Sequence, residues 1–217
     1  DMATMLAFIV TDAGIESRLL STLLKDVAQE TFNAITVDGD MSTNDTVIAL
    51  SGGTSGVTVK DIGSKTFTLF HRMMNETMKT LAEMIVRDGE GATKLITVEA
   101  LQARSKNEAD KAARTVANSL LVKTAFFGED FNWGRIMASL GMSGAVFNPD
   151  RVDICFNRIK AVENGQGVPK NTRKLIREMK KKEITITIDL KKGSHKSRII
   201  TSDLSYEYVK INASYTT

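Results

Sequence analysis

The segment EITITIDL, residues 183–190, alternates apolar and polar residues over most of its length. Successive side chains of a β-strand point to opposite faces, so this alternation predicts a strand with one buried face and one solvated face. Such a strand is stable only in a sheet whose apolar face is covered by other elements. The chain must therefore supply both partner strands and covering helices.

The clearest covering helix is predicted in SKNEADKAARTVANSLL, residues 105–121. Ser105 and Glu108 have the spacing of a capping box, which indicates a helix start. Small and apolar residues then recur at helical spacing and predict one closely packed face. That face comprises Ala109, Ala112, Ala113, Val116, Ala117 and Leu120.

Further helices and strands are predicted on both sides of this helix. Apolar spacing predicts helices at 12–32, where Thr11 or Asp12 would cap the start, at 70–85 and at 171–182. Additional strands are predicted at 7–10, 34–38, 46–52, 95–101, 151–157 and 203–214. Because strands and helices interleave, the fold class is α/β (mixed α+β layers). The chain is interpreted as one domain, 1–217, with a smaller C-terminal subdomain possible from about residue 150.

Composition excludes several classes of function. The net charge is only +3, and aromatic residues make up 6% of the chain, which provides little material for a nucleic-acid surface. No apolar run is long enough to span a bilayer, and the first residues lack the pattern of a signal peptide. The single cysteine, Cys155, cannot form an intramolecular disulfide, which fits the cytoplasm. We expect neither a nucleic-acid partner nor a membrane partner.

Metal and histidine chemistry are also disfavoured. The two histidines, His71 and His195, are far apart and have no Cys, Asp or Glu partners at ligand spacing. Both are interpreted as surface or capping residues, and no metal site is predicted. The glycine-rich segment 51–56 lacks the lysine of a P-loop, so we interpret it as a loop after a strand.

Two segments have both a structural and a functional interpretation. In DGEGATK, residues 88–94, Gly89 could be a helix C-cap, or Glu90 could be a site carboxylate held on a tight turn. In FGEDFNWGRI, residues 127–136, Trp133 could anchor a core, or the dense mixture of polar and loop residues could form a site. The residue types alone leave both questions open.

Thr4 also has two interpretations. A threonine at a chain terminus can use its own α-amine, whose ordinary pKa is about 8, as the base for its hydroxyl. Cleavage of the Ala3–Thr4 bond would create that amine. Alternatively, Thr4 is simply a residue at the start of a strand.

Five segments together resemble one known family. They are MATMLAFIVTDA (2–13), STNDT (42–46), DGEGATK (88–94), VKTAFFGEDFNWGRI (122–136) and YVKINASYTT (208–217). In this order they are similar to the C-terminal (β) half of the ornithine acetyltransferase family of arginine biosynthesis. Many members of that family also act as N-acetylglutamate synthases.

The resemblance implies a self-processing acyltransferase of the N-terminal-nucleophile type. It implies cleavage between Ala3 and Thr4, with Thr4 as the nucleophile that carries the acetyl group from N-acetylornithine to glutamate. Glu90, Asn212 and Thr217 match the family's substrate-binding positions. The implied partner is the α half of the same precursor in an α2β2 heterotetramer. That half contributes the oxyanion donors, so we expect the β half alone to be inactive.

The resemblance implies no metal and no organic cofactor, and the residues leave open whether acetyl-CoA is a second acetyl donor. Two alternatives remain at this stage. One is an aminopeptidase or amidohydrolase that uses the same terminal nucleophile with water as acceptor. The other is a non-enzymatic subunit in which Thr4 only begins a strand.

Overall fold

The structure, a computed structural model, describes residues 5–214. The predicted cleavage and nucleophile residues Ala3 and Thr4, and the predicted substrate-binding residue Thr217, lie outside the described residues. The chain divides into two units, Asp1–Met84 and Ile85–Thr217.

The first unit is built from short parallel strand pairs and two helices. Strand β1 pairs in parallel with β3, and β2 pairs in parallel with β4. The elements are β1 (Leu6–Thr11), β2 (Gly14–Ile15), α1 (Ser17–Glu30), β3 (Thr46–Ser51), β4 (Thr58–Val59) and α2 (Lys65–Arg87). The last residues of α2 belong to the second unit.

Helix α1 forms where apolar spacing predicts it, but it begins later than expected. Its N-cap is Glu16, whereas the predicted caps Thr11 and Asp12 precede strand β2. The Thr11 hydroxyl instead accepts a hydrogen bond from the Ala13 amide at 3.2 Å. Since β2 occupies Gly14–Ile15, the helix cannot start before Ser17. Its buried residues are Leu19, Leu20, Leu23 and Val27.

Two strand predictions in this unit need correction. The strand predicted at 34–38 is absent, because the chain forms a short 3-10 helix at Phe32–Ala34 that anchors the buried Phe32 and Ile35. Packing of these side chains overrides the β propensity of the segment. The strand at 7–10 is confirmed within β1, but it is not buried throughout, since its alternate residues are exposed.

The second unit contains one six-stranded sheet with strand order β10-β5-β9-β6-β7-β8. Strands β5 and β9 are parallel, and the other neighbours are antiparallel. The strands are β5 (Leu95–Ala103), β6 (Asp153–Phe156), β7 (Ile159–Glu163), β8 (Gln166–Gly167), β9 (Glu183–Asp189) and β10 (His195–Ser202). The helices are α3 (Lys106–Asn118), α4 (Leu120–Phe127), α5 (Trp133–Met142), α6 (Thr172–Met179) and α7 (Tyr206–Ser214).

Helix α3 packs on β5 and β10 through five of the six residues of the predicted face. The prediction was wrong for Leu120, because α3 ends at Asn118 and Leu120 begins α4 with 61% of its surface exposed. The alanines of α3 are almost completely buried, and their small side chains allow a close approach to the sheet. Ser105 caps the helix by accepting a hydrogen bond from the Glu108 amide at 3.2 Å. The Glu108 carboxylate forms an ion pair with Arg104 at 2.6 Å.

The alternation in β9 is confirmed, because Ile184, Ile186 and Ile188 are buried while their neighbours are less so. Strands before and after residue 150 hydrogen-bond within this one sheet. His195, interpreted as a surface or capping residue, is exposed and begins β10. The mixed α/β class predicted from the sequence is confirmed. No helix in the described part of the chain is both long and apolar enough to cross a membrane.

The strand predicted at 203–214 is wrong, because residues 206–214 form helix α7. Ser205 precedes the helix, and its hydroxyl accepts a hydrogen bond from the Tyr208 amide at 3.4 Å. This is the contact of a helix N-cap, and it favours the helix over the extended form that Tyr, Val and Ile would suggest.

Candidate functional site

The Glu90 turn, residues 88–94, joins helix α2 to strand β5 in the second unit. Gly91 has a positive φ of 64°, a conformation that glycine adopts without steric cost. A Cβ atom added at Gly91 would lie 2.6 Å from the Tyr208 backbone nitrogen and 2.7 Å from the Ser205 hydroxyl. The turn backbone therefore lies directly against the first turn of α7, and only glycine permits this approach.

Helix α7 brings Asn212 to the same turn. The Asn212 side-chain amide donates to the Glu90 carboxylate at 2.5 Å and to the Tyr208 carbonyl at 3.0 Å. Glu90 and Asn212 are 122 positions apart in the chain, and both side chains are exposed. Two of the predicted substrate-binding residues thus form one polar pair at the surface.

Asp203 fixes the end of the turn nearest to β5. Its carboxylate accepts hydrogen bonds from the Thr93 amide at 2.8 Å, the Thr93 hydroxyl at 2.5 Å and the Lys94 amide at 2.9 Å. Only 3% of Asp203 is exposed. A carboxylate this deeply buried is stable because donors satisfy its oxygens. Asp203 was not singled out from the sequence.

Buried lysines support the surrounding backbone. The Lys123 ammonium donates to the Thr201 hydroxyl at 2.8 Å and to the Ser202 carbonyl at 2.6 Å, immediately before Asp203. The Lys94 ammonium donates to the Met179 carbonyl at 2.9 Å and lies 3.6 Å from the Glu129 carboxylate. A buried lysine must find such partners, since an unpaired buried charge is costly.

The segment FGEDFNWGRI forms a defined turn whose polar residues have structural contacts. Asn132 caps α5 by accepting a hydrogen bond from the Arg135 amide at 3.1 Å. Trp133 packs against the main hydrophobic core, as its structural interpretation requires. Glu129 has a positive φ of 58° and faces Lys94.

In the first unit, the motif STNDT lies next to the residue that follows Thr4. The Asp45 carboxylate accepts hydrogen bonds from the Met5 amide at 2.7 Å and from the Ser42 amide at 3.2 Å. Met5 is buried, and its amide nitrogen is covalently bonded to the Thr4 carbonyl carbon. Asp45 therefore anchors the backbone immediately after the predicted nucleophile.

Shifted pKa values occur around strand β6. Burial raises the pKa of the Asp153 carboxyl, but hydrogen bonds from Lys191, the Asn164 amide and Lys160 outweigh burial and hold it below its ordinary value. Burial likewise raises the pKa of the Cys155 thiol. Within residues 5–214, no three His, Cys, Asp or Glu side chains are grouped so that they could hold a metal ion.

The chain has the mixed α/β fold of a protein whose crystal structure is known and whose name refers to arginine biosynthesis. The chain is similar to the crystal structure of arginine biosynthesis bifunctional protein argJ from Bacillus halodurans, with a TM-score of 0.93 and 37% identity. This similarity covers 98% of the chain and 100% of the solved chain. The ArgJ family matches residues 1–217, and the chain belongs to this family. The resemblance inferred from the motifs is confirmed.

Curated relatives extend this comparison. The chain is 48% identical to arginine biosynthesis bifunctional protein ArgJ of Geobacter sulfurreducens, over 100% of the chain and 56% of that protein. It is 46% identical to glutamate N-acetyltransferase of Methanocaldococcus jannaschii, over 99% of the chain and 54% of that protein. The chain thus spans about half the length of the curated relatives it matches.

Proposed function

We propose that the full-length protein containing this chain transfers an acetyl group from N-acetylornithine to glutamate. The observation that carries this proposal is the hydrogen bond between Glu90 and Asn212, two distant motif residues that meet at one exposed turn. Membership of the ArgJ family and the names of its relatives support the same activity. Thr4 is the proposed nucleophile, and Thr217 a further substrate contact.

The proposed reaction has two half-reactions. Cleavage of the Ala3–Thr4 bond frees the Thr4 amine, which takes the proton of the Thr4 hydroxyl. The hydroxyl oxygen then bonds to the acetyl carbonyl carbon, and the bond from that carbon to the ornithine nitrogen breaks. The departing nitrogen receives the proton. The glutamate amine next attacks the acetyl-threonine ester, which forms N-acetylglutamate and restores the hydroxyl.

Glu90 and Asn212 have side chains suited to an amino-acid substrate. The exposed Glu90 carboxylate can accept a hydrogen bond from a substrate ammonium group, and this contact is charge-assisted. The Asn212 amide, already bonded to Glu90, contributes to the orientation of that carboxylate. The pair would thus hold the amino-acid part of the substrate through its ammonium group.

The proposed partner is the α half of the same precursor, in an α2β2 assembly in the cytoplasm. Strands β1 and β3 expose apolar side chains along one face of their two-stranded parallel sheet. These are Leu6, Phe8, Val10, Ile48 and Leu50. Parallel sheets are ordinarily covered on both faces, so this face, called here the β1–β3 apolar face, suits a covering chain.

No metal or organic cofactor takes part in the proposed reaction, and acetyl-CoA is a possible second acetyl donor. A single assay with the full-length protein separates the candidates. Dependence of N-acetylornithine consumption on glutamate indicates transfer, whereas equal consumption in water indicates the aminopeptidase or amidohydrolase alternative. Acetyl-CoA replaces N-acetylornithine in a parallel reaction to test the second donor.

Substitution of the proposed nucleophile tests the mechanism. Thr4→Ala should abolish both self-cleavage, seen as two bands on a denaturing gel, and acetyl transfer. Thr4→Ser should retain part of both, because serine keeps a hydroxyl. Two bands from the Thr4→Ala protein would contradict the cleavage assignment. Absence of any transfer by the cleaved wild-type protein would favour the non-enzymatic alternative.

A further inference from the structure

The Glu90–Asn212 pair depends on how the Glu90 turn is held, since both side chains are exposed and can otherwise move independently. An exposed hydrogen bond between mobile side chains orders them only weakly. The relative position of Glu90 and Asn212 must therefore be set by the backbone segments that carry them. The contacts between the Glu90 turn and residues 203–208 fix this position.

Asp203 makes the stronger contact. One carboxylate oxygen accepts hydrogen bonds from the backbone amides of Thr93 and Lys94, and the other accepts one from the Thr93 hydroxyl. Hydrogen bonds to a charged, buried acceptor are stronger than those between neutral groups. The end of the turn is thereby fixed to the segment that begins α7.

Ser205 makes a second contact closer to Glu90. Its hydroxyl donates to the Gly91 carbonyl at 2.6 Å, while accepting from the Tyr208 amide at 3.4 Å. One hydroxyl thus joins the residue after Glu90 to the first turn of the helix. Asn212 lies one helical turn beyond Tyr208, on the same side of α7.

We infer that Asp203 and Ser205 are positioning residues, which set the geometry of the Glu90–Asn212 pair for substrate by fixing the Glu90 turn to α7. This inference rests on the proposed function. Neither side chain contacts substrate in this scheme. Each acts through the backbone of residues 91–94, and so neither is needed for cleavage of the Ala3–Thr4 bond.

The test compares Asp203→Ala with Asp203→Asn in the full-length protein. Alanine removes all three contacts, so KM for N-acetylornithine should rise about tenfold while kcat changes little. Asparagine should restore most of the wild-type KM. Its carbonyl can accept from both amides, and its NH2 can donate to the Thr93 hydroxyl. Asp150→Ala, at an exposed site, is the matched control and should keep the wild-type KM.

Two more variants keep the test decisive if Asp203→Ala fails to fold. Ser205→Ala should raise KM by a smaller factor, about threefold, because it removes a neutral hydroxyl that donates to Gly91 and accepts from Tyr208. Gly91→Ala should raise KM more than Ser205→Ala, since its Cβ would push the turn away from Tyr208. All variants should self-cleave as completely as the wild type.

The outcomes separate the inference from the proposed function. A wild-type protein that transfers no acetyl group from N-acetylornithine contradicts the proposed function. If the wild-type protein is active, a folded Asp203→Ala variant with unchanged KM overturns the inference. Wild-type KM in both Ser205→Ala and Gly91→Ala overturns it as well. A lower Tm without any change in KM would assign Asp203 to stability alone.

Discussion

In the second unit, helix α3 covers strands β5 and β10 with buried alanines, whereas in the first unit the β1–β3 apolar face is exposed. Phe8 and Val10 on that face have 61% and 72% of their surface accessible. Burial of apolar side chains is the main source of folding free energy. In the second unit, α3 therefore covers the apolar side chains of these two strands. In the first unit, the β1–β3 apolar face remains available for a partner.

The largest expected effect is on the exposed face. Phe8→Asp in the full-length protein places a charge on the proposed interface, and burying an unpaired charge costs several kcal/mol. The two halves should then no longer co-purify, and acetyl transfer should fall at least about a hundredfold. Affinity purification of one tagged half, followed by activity measurement, checks this.

Ile62→Asp is the control for that experiment, because Ile62 is 70% exposed in the same unit but is not on β1 or β3. It should leave co-purification and activity near wild type. If the two halves of the Phe8→Asp protein still co-purified completely, the β1–β3 apolar face would not be the interface with the partner.

The next effect concerns the covered sheet. Ala112→Leu should lower the free energy of unfolding by about 1–3 kcal/mol, because the buried face of α3 has no room for a larger side chain. Urea unfolding of the full-length protein measures this change. Lys111→Leu adds the same side chain at the neighbouring exposed position and should have little effect. Equal stability of both variants would show that α3 is loosely packed.

A third prediction concerns the start of β1. Asp45→Ala removes the acceptor of the Met5 amide, so the backbone after the proposed nucleophile loses its anchor. Self-cleavage should slow about tenfold, as expected for loss of a hydrogen bond to a charged group. A time course on a denaturing gel measures the rate. Asp40→Ala, at an exposed position in the same loop, should cleave at the wild-type rate. A wild-type cleavage rate in Asp45→Ala would show that Asp45 stabilises the loop but does not affect self-cleavage.

The smallest effect is a pH dependence in the second unit. Because the pKa of the Asp153 carboxyl is lowered in the folded protein, ionised Asp153 stabilises the fold above its unfolded pKa, about 3.9. That contribution is lost as pH falls through the folded pKa. Asp153→Asn should thus flatten the fall in unfolding free energy below about pH 4.

The sequence predicted much of the second unit because its signals are local. The alternation in β9 and the alanine face of α3 each report burial directly, and both are confirmed. The strand predicted at 203–214 was wrong because Tyr, Val and Ile favour extended structure, whereas the Ser205 cap and contacts with Gly91 favour a helix. The Ser205–Gly91 contact links residues 114 positions apart, and no local sequence pattern reports such a contact.

Only part of the candidate site could be predicted from the sequence. Glu90 and Asn212 came from family motifs, and their hydrogen bond was visible only in three dimensions. Asp203 lay inside the strand wrongly predicted at 203–214, so that interpretation gave it no role in a site. A buried carboxylate that accepts from two backbone amides has no sequence signature of its own.

The close approach at Gly91 has a consequence for interpreting related genomes. A homologue could retain the acid of the D-G-E-G motif and still lose the proposed amino-acid recognition if its second glycine were replaced. The Cβ would separate the turn from the helix, although every polar residue of the site would still be present in the sequence. The second glycine is therefore as informative as the acid when the motif is used to judge whether a related sequence keeps the proposed geometry of the Glu90 turn.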